Sequence, residues 1–273
     1  MHLAVIVLAA GKGTRMKSET PKVLHRAAGR SLLGWVLMAV DPLEAEETVA
    51  VIGHGAEAVV EALPPATVSV VQEPQLGTGD AVRVGLSGCG DAVDTVLVVP
   101  GDMPLLRAET LALVVETHRT RDAAATVLTV EMDDPTGYGR VERRGDQVVG
   151  IVEHRDADDR QRSIDEVNTS VYVFDAELLA DALGRLSRDN SQGEYYLTDV
   201  IGILNADGRR VVGLVADAIE GTGVNSHAQL AGVAEILRRR INDRLMAEGV
   251  AMLDPSRVYI DAGVAVDPGA TIY

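Results

Sequence analysis

LAVIVLAAGKGTRMKSETPKVLH, residues 3–25, decides how the rest of the chain is read. Its first six residues are continuously apolar and rich in β-branched side chains, the pattern of a strand buried on both faces of a parallel sheet. Ala9, Ala10, Gly11 and Gly13 follow at once with almost no side chain, so a ligand can approach main-chain N–H groups, which suit phosphate oxygens. Lys12, Arg15, Lys17 and Lys22 add positive charge, and Glu19 is the one acid between Met1 and Arg30. In a chain of net charge −16 such a local excess of cations needs a reason. Pro21 fixes the backbone immediately before Lys22. A solvated basic turn would account for a lone G-x-G. Buried strand, small residues, clustered charge and the Pro21-Lys22 step together favour a phosphate-binding loop.

Outward from this loop, a chain of 273 residues that is 47% hydrophobic suits one large core, or a domain with a small appendage. The acidic excess argues against a nucleic-acid partner or an anionic membrane surface, both of which need an extended basic patch. One cysteine, Cys89, excludes an intrachain disulfide and makes a reducing compartment the default; in its Gly-rich surroundings it reads as a small packed residue rather than a nucleophile. The first apolar run lacks a basic leader and passes straight into the charged loop, so a mature cytoplasmic strand is expected rather than a signal peptide. No run reaches the roughly 18 apolar residues that a membrane span requires.

Strand-like runs at 48–52, 68–71, 95–99 and 124–130 alternate with helical patterns at 32–40, 57–63, 78–86 and 108–119. That alternation predicts an α/β fold, a Rossmann-like doubly wound and mostly parallel sheet. After Pro135, residues 140–144 and 147–152 flank Gly145-Asp146 as a hairpin would, and 167–174 reads as a further central strand. Helices are expected at 176–186 and 195–204, and a mobile polar loop at 155–165. Between His227 and Ala247, Leu230, Val233, Leu237, Ile241 and Leu245 recur at spacings of three and four, one stripe on a helix about 30 Å long, stopped by Gly249. Ile260, Val266 and Ile272 recur at intervals of six, with Gly263 and Gly269 at the same period; a short repeat and a chance strand pair both explain this.

Further motifs follow in order: QLGTGDA (75–81), PGDMPLL (100–106), GYGR (137–140), IVEH (151–154), EVNTSVYVF (166–174), QGEYYLTD (192–199) and GVN (223–225). With the N-terminal loop they make the chain resemble the sugar-phosphate nucleotidyltransferases. Specifically, it resembles the uridyltransferase part of the bacterial bifunctional family that makes UDP-N-acetylglucosamine for cell-wall precursors. The resemblance implies a nucleotidyltransferase domain at 1–226, a linker helix at 227–249, and at 250–273 the first coil of a truncated left-handed parallel β-helix. It implies Mg²⁺-dependent transfer of UMP from UTP to N-acetylglucosamine 1-phosphate, giving UDP-N-acetylglucosamine and pyrophosphate. The sugar phosphate is already ionised, so the reaction needs positioning and cation density rather than a protein nucleophile.

By the same resemblance Arg15 and Lys22 act on the phosphates, and Leu8, Ala9, Ala10, Gly11, Gly13, Pro100 and Gly101 form the substrate cradle. Asp102 and Asn225 hold the metal, Gln72, Gly77 and Thr78 choose the base, and Gly139, Glu153 and Asn168 meet the acetamido sugar. A Gln amide can both donate and accept in the plane of a uracil. The pattern departs from the family at Asp80, where a histidine is usual, at Ser226 and at Pro100; an acid at 80 that pointed inward would weaken nucleotide binding. The longer parent is expected to trimerise through its β-helix and this chain to be a monomer or weak oligomer. Its acetyltransferase half would lie on coils not present here. The competing readings are a guanylyltransferase maturing the molybdenum cofactor, a non-catalytic nucleotide-sensing subunit, and an acyltransferase.

Overall fold

The computed structural model describes residues 2–273. Strand β1 (Leu3–Leu8) is fully buried from Ala4 to Val7, as its unbroken apolar run requires. A small hairpin of β2 (Arg26–Ala27) and β3 (Arg30–Ser31) leads into α1 (Leu32–Val40), whose first turn is capped where Ser31 Oγ accepts from the Gly34 N–H at 3.0 Å. There follow β4 (Glu47–Ile52), α2 (Ala56–Ala62), β5 (Val68–Val71), α3 (Thr78–Leu86), β6 (Thr95–Pro100), α4 (Ala108–Thr120) and β7 (Ala125–Glu131). Strands β5, β4, β1 and β6 lie side by side and parallel. Alternate residues of each strand feed opposite cores. Ile6, Val51 and Val98 meet α3, whereas Val5, Val7, Ile52 and Val99 meet Val36 of α1, Val59 of α2 and Val114 of α4.

Beyond β7 the expectation of a mostly parallel sheet fails. The chain continues through β8 (Arg140–Arg144), β9 (Gln147–Val152), α5 (Asp159–Arg162), β10 (Glu166–Asp175), α6 (Ala176–Gly184), α7 (Asp199–Ala206) and β11 (Val211–Ala216). All nine large strands form one mixed sheet in the order β5-β4-β1-β6-β10-β7-β11-β9-β8. Strand β10 is inserted antiparallel between β6 and β7, with Val173 opposite Leu97 on one side and Thr126 on the other. Strand β8 pairs with β9 and returns to β10 at Arg140 and Val167, so β10, β7, β11, β9 and β8 close on themselves. An apolar run reveals burial on both faces but carries no information about strand direction.

Residues 155–165, read as a mobile loop, instead contain α5, started by a capping box. The Asp158 carboxylate accepts from Gln161 N–H at 2.7 Å, and Asp158 N–H donates to the Gln161 side chain at 2.9 Å. The helix expected at 195–204 begins only at Asp199, because residues 195–197 are committed to contacts with the start of α3.

The last part of the chain packs on the first. In α8 (His227–Ala247), Val233, Leu237, Ile241 and Leu245 are buried against Leu32, Trp35 and Leu105. Strands β12 (Ala251–Met252) and β13 (Thr271–Ile272) then pair in parallel, Ala251 opposite Thr271, and Ile260, Val266 and Ile272 lean half-buried on the same apolar cluster. Backbone and side-chain bonds fix this arrangement: Ala262 N–H donates to Ala28 C=O at 2.9 Å, and the Asn242 amide donates to the carbonyls of Pro255 and Val258 at 2.8 and 3.0 Å.

Candidate active site

The carboxyl ends of β1 and β6, at Leu8 and Pro100, open onto a cavity of about 560 Å³. Open α/β sheets place ligands at this edge. Ala10, Gly11 and Lys12 of the N-terminal loop form one wall, and Lys22 with Asp102 and Asn225 a second. The third comes from Gln72, Gly77 and Thr78, and the fourth from Tyr138 and residues 168–170. Residues widely separated in sequence thus converge on one space.

Lys22 is the hinge of the second wall. Its ammonium pairs with the Asp102 carboxylate and donates to Asn225 Oδ1 at 3.2 Å. A carboxylate oxygen and an amide oxygen therefore aim at one cation position, and hard oxygens are what Mg²⁺ takes, usually with waters and substrate phosphates completing its shell. Asp102 C=O also accepts from the Val224 N–H at 3.0 Å, which ties the 223–225 loop to the end of β6. Groups of three or more His, Cys, Asp or Glu with metal-binding geometry are absent among the described residues. A site of one acid and one amide is outside that description.

Gln72, at 4% exposure, follows β5 directly and sits over the start of α3. Its amide nitrogen donates to Gly77 C=O at 3.0 Å and to the Asp80 carboxylate at 2.9 Å. The carboxylate of Asp80 is also held by Arg83 at 3.2 Å, and Asp80 is not among the residues lining the cavity. The acid at 80 therefore lies behind Gln72, on the side away from the cavity. Gly77 is required here: with φ of 116°, an added Cβ would lie 2.5 Å from Tyr195 C=O. Tyr195 N–H donates to Leu76 C=O at 2.8 Å, Tyr195 C=O accepts from Gly79 N–H at 2.8 Å, and Thr78 Oγ1 accepts from Leu197 N–H at 3.0 Å. The YYLT segment thus pins the turn at Leu76–Gly79.

The fourth wall is a β-bulge. Strand β10 slips register between Asn168 and Val171, and Ser170 takes a left-handed φ of 65°. Thr169 Oγ1 donates to Leu128 C=O at 2.7 Å, Asn168 Nδ2 donates to Tyr172 Oη at 2.7 Å, and Asn168 Oδ1 accepts from Ser170 N–H at 3.0 Å. The bulge turns Asn168, Thr169 and Ser170 to the cavity. Gly139 lies beside it, its C=O accepting from Asn168 N–H at 2.9 Å, and a Cβ on it would stand 3.7 Å from Glu153 Oε1. Glu153 accepts from Thr198 Oγ1 at 3.2 Å, and burial, with Asp199 and Asp156 near, pushes its carboxyl above the ordinary carboxylate range.

Six of the sequence-derived candidates do not line the cavity itself: Ala9, Gly13, Arg15, Gly101, Gly139 and Glu153. Ala9 donates to Val51 C=O at 2.8 Å and Gly101 to Leu8 C=O at 2.9 Å, so both lie in the floor. Gly13, at φ 59°, lets the loop close on Lys22, whose Cβ would be 2.6 Å from a side chain there. Arg15 is exposed in a single turn at Thr14–Met16, without hydrogen bond or ion pair among the described residues, although its charge reaches Tyr138. Of the lining residues that were not candidates in the sequence, two join one wall to the next. Gln75 donates to Ala10 C=O at 2.8 Å and joins the Gln72–Thr78 wall to the N-terminal loop. Tyr138, its hydroxyl raised in pKa by burial and by Asp102, lines the cavity with Asp102 and Asn168; the GYGR motif offered it, but only the glycine was carried over. Burial and the nearby Glu47 push the Cys89 thiol up to about 11, so its reactive thiolate is scarce at neutral pH.

A family profile described as "MobA-like NTP transferase domain" matches residues 5–195. The chain belongs to this family. Similar along nearly its whole length is "Bifunctional protein GlmU" of Streptomyces avermitilis, 50% identical across 99% of this chain and 58% of that protein. The proteins of the same name from Syntrophotalea carbinolica and Cutibacterium acnes are each 46% identical, over 100% and 99% of this chain and 59% and 67% of theirs. The chain of this NTP transferase thus spans about three fifths of the length of the first relative. A solved structure titled as a putative glucose-1-phosphate thymidylyltransferase from Bacillus anthracis superposes with a TM-score of 0.67 at 18% identity, covering 86% of this chain and 94% of that one. At that identity it speaks to the fold alone. The expected nucleotidyltransferase class and the resemblance to the bifunctional family are thereby met. A molybdenum-cofactor guanylyltransferase is not favoured, because the GlmU match continues through residues 196–273, past the end of the family profile.

Proposed function

We propose that this NTP transferase is an N-acetylglucosamine-1-phosphate uridyltransferase, joining UTP and N-acetylglucosamine 1-phosphate to give UDP-N-acetylglucosamine and pyrophosphate. The observation that carries the reading is the convergence of Gln72, Gly77 and Thr78, the cationic N-terminal loop, and Tyr138 with residues 168–170 on one cavity at the carboxyl edge of the sheet. Gln72, Gly77 and Thr78 receive the uracil, and the main chain from Ala9 to Gly13 receives the triphosphate. Arg15 and Lys22 neutralise charge on the leaving pyrophosphate. Gly139, Glu153 and Asn168 orient the acetamido sugar so that its phosphate oxygen lies in line with the α-phosphorus. Orientation and cation density together supply the acceleration, as phosphoryl-transfer chemistry demands. Asp102 and Asn225 are suited to hold Mg²⁺, which when bound would offset the charge between the two anionic substrates. Both now bond Lys22, so an ion held there would free the Lys22 ammonium for substrate phosphates.

We also infer that residues 250–273 form the first coil of a left-handed β-helix following the linker helix α8. The parallel pairing of β12 with β13 and the inward lean of Ile260, Val266 and Ile272 support this. Pyrophosphate release, measured with UTP, dTTP, CTP and GTP against N-acetylglucosamine 1-phosphate, glucosamine 1-phosphate and glucose 1-phosphate, tests the activity. UTP with N-acetylglucosamine 1-phosphate should be the best pair and should fail in excess EDTA. A preference for GTP, or no release with any pair, would overturn the proposal.

A further inference from the structure

Gln72 has an amide with fewer options than its chemistry allows. An amide nitrogen carries two hydrogens, and both are committed, one to Gly77 C=O and one to the Asp80 carboxylate. Both neighbours are acceptors only, so the opposite orientation, with Oε1 toward them, would set oxygen against oxygen twice in a nearly buried place. The flip is therefore fixed by chemistry. Asp80 is fixed in turn: Arg83 Nη1 donates to its other oxygen at 3.2 Å, Arg83 Nη2 donates to Leu183 C=O at 3.0 Å, and the guanidinium stacks 5.0 Å from the Tyr195 ring. This chain runs from α6 through α3 to the cavity. It ends at Gln72 Oε1, which has no partner among the described residues.

We propose that Asp80 is a positioning residue that makes Gln72 a pure hydrogen-bond acceptor, so that the site selects a base presenting an N–H on its pairing edge and rejects cytosine. Uracil carries N3–H at that point, whereas cytosine carries a lone pair, which would face Oε1 directly. Thymine presents the same N3–H, and this device does not separate it from uracil. The inference rests on Gln72 being the base contact, and it narrows the earlier expectation that this amide both donates and accepts. The acid at residue 80, a departure from the family pattern, then sharpens base choice rather than weakening nucleotide binding.

The test compares UTP with CTP in two readouts, calorimetric binding and kcat/KM for pyrophosphate release, for the wild type, Asp80→Asn and Asp80→Ala, with thermal unfolding to verify folding. The wild type should favour UTP by more than about tenfold, the scale of one buried hydrogen bond made or opposed. Asp80→Asn keeps the volume but can turn its NH₂ toward Gln72, and Asp80→Ala removes the acceptor. Both should cut the UTP-to-CTP ratio by about tenfold, through a loss for UTP and a gain for CTP, while KM for the sugar phosphate stays unchanged. A merely structural role would lower activity with both nucleotides alike. An unchanged ratio in the folded Asp80→Asn protein, or a wild type that binds CTP as well as UTP, overturns the proposal. No binding of either nucleotide by the wild type would instead remove the base-site reading beneath it.

Discussion

Arg15 stands exposed on the N-terminal loop with no hydrogen bond or ion pair among the described residues. If it stabilises charge building on the leaving pyrophosphate, Arg15→Ala should lower kcat by roughly 10²–10³-fold with a smaller change in KM for UTP. Arg15→Lys should recover little, because an ammonium lacks the planar fork. Near-normal kcat in both, with only a salt-sensitive rise in KM, would return the residue to a solvated rim. Asp102→Ala should abolish turnover at ordinary magnesium levels yet leave the melting temperature near that of the wild type, since this residue adds nothing apolar to the core; full activity would sink the metal assignment. Glu153 makes a pH prediction. Its carboxyl titrates above the ordinary value of 4.5 because burial disfavours the charge, while sugar hydroxyls donate best to the ionised form. KM for the sugar phosphate should therefore rise as pH falls through this raised value, and Glu153→Gln should flatten the profile. The stability sign is opposite. The folded state holds this proton more tightly than the unfolded chain, so ionising Glu153 costs stability as pH rises past the normal carboxylate range, and Glu153→Gln should be more stable than wild type at neutral pH.

Single elements explain what could be read in advance. β1 and its loop were legible because a doubly buried strand, small residues and clustered cations are all local signals. Lys22, Asp102 and Asn225 were nominated by motif, but their meeting depends on the 223–225 loop folding back to β6, a contact that leaves no local mark. β10 was legible as a buried strand, whereas its antiparallel insertion and its bulge at Thr169–Ser170 were not. β11 escaped altogether: Gly213 interrupts VVGLVA, and the strand takes its place from neighbours, parallel to β7. The turn into α3 is the element most exposed to a small change. Gly77→Ala sets a methyl against Tyr195 C=O at a left-handed φ, and should cost on the order of 1–3 kcal/mol while raising KM for UTP. Thermal denaturation with parallel kinetics would measure both, and an unaltered KM would detach this turn from the base wall.

At the scale of the molecule, residues 250–273 rest on α8 and leave Leu253, Tyr259 and Tyr273 exposed. These exposed apolar side chains are few and separated in sequence, so light scattering at low micromolar concentration should give a mass near 28.9 kDa, with association only as concentration rises. A stable trimer would place the interface on α8 or on the main sheet. Helices long and apolar enough to cross a membrane are absent among the described residues. The placement of β10 has a consequence for motion. Because this one strand is laddered to β6 on the side of the sheet that carries Gln72 and to β7 on the side that carries Glu153, the two halves of the cavity share a single hydrogen-bonded seam. They cannot part as two lobes about a hinge without tearing that seam, so entry and exit of substrates falls to the loops at its edge. Amide hydrogen exchange should then report Leu97, Val127 and Val173 opening together, only with global unfolding, while the amides of residues 11–20 exchange on a far faster clock.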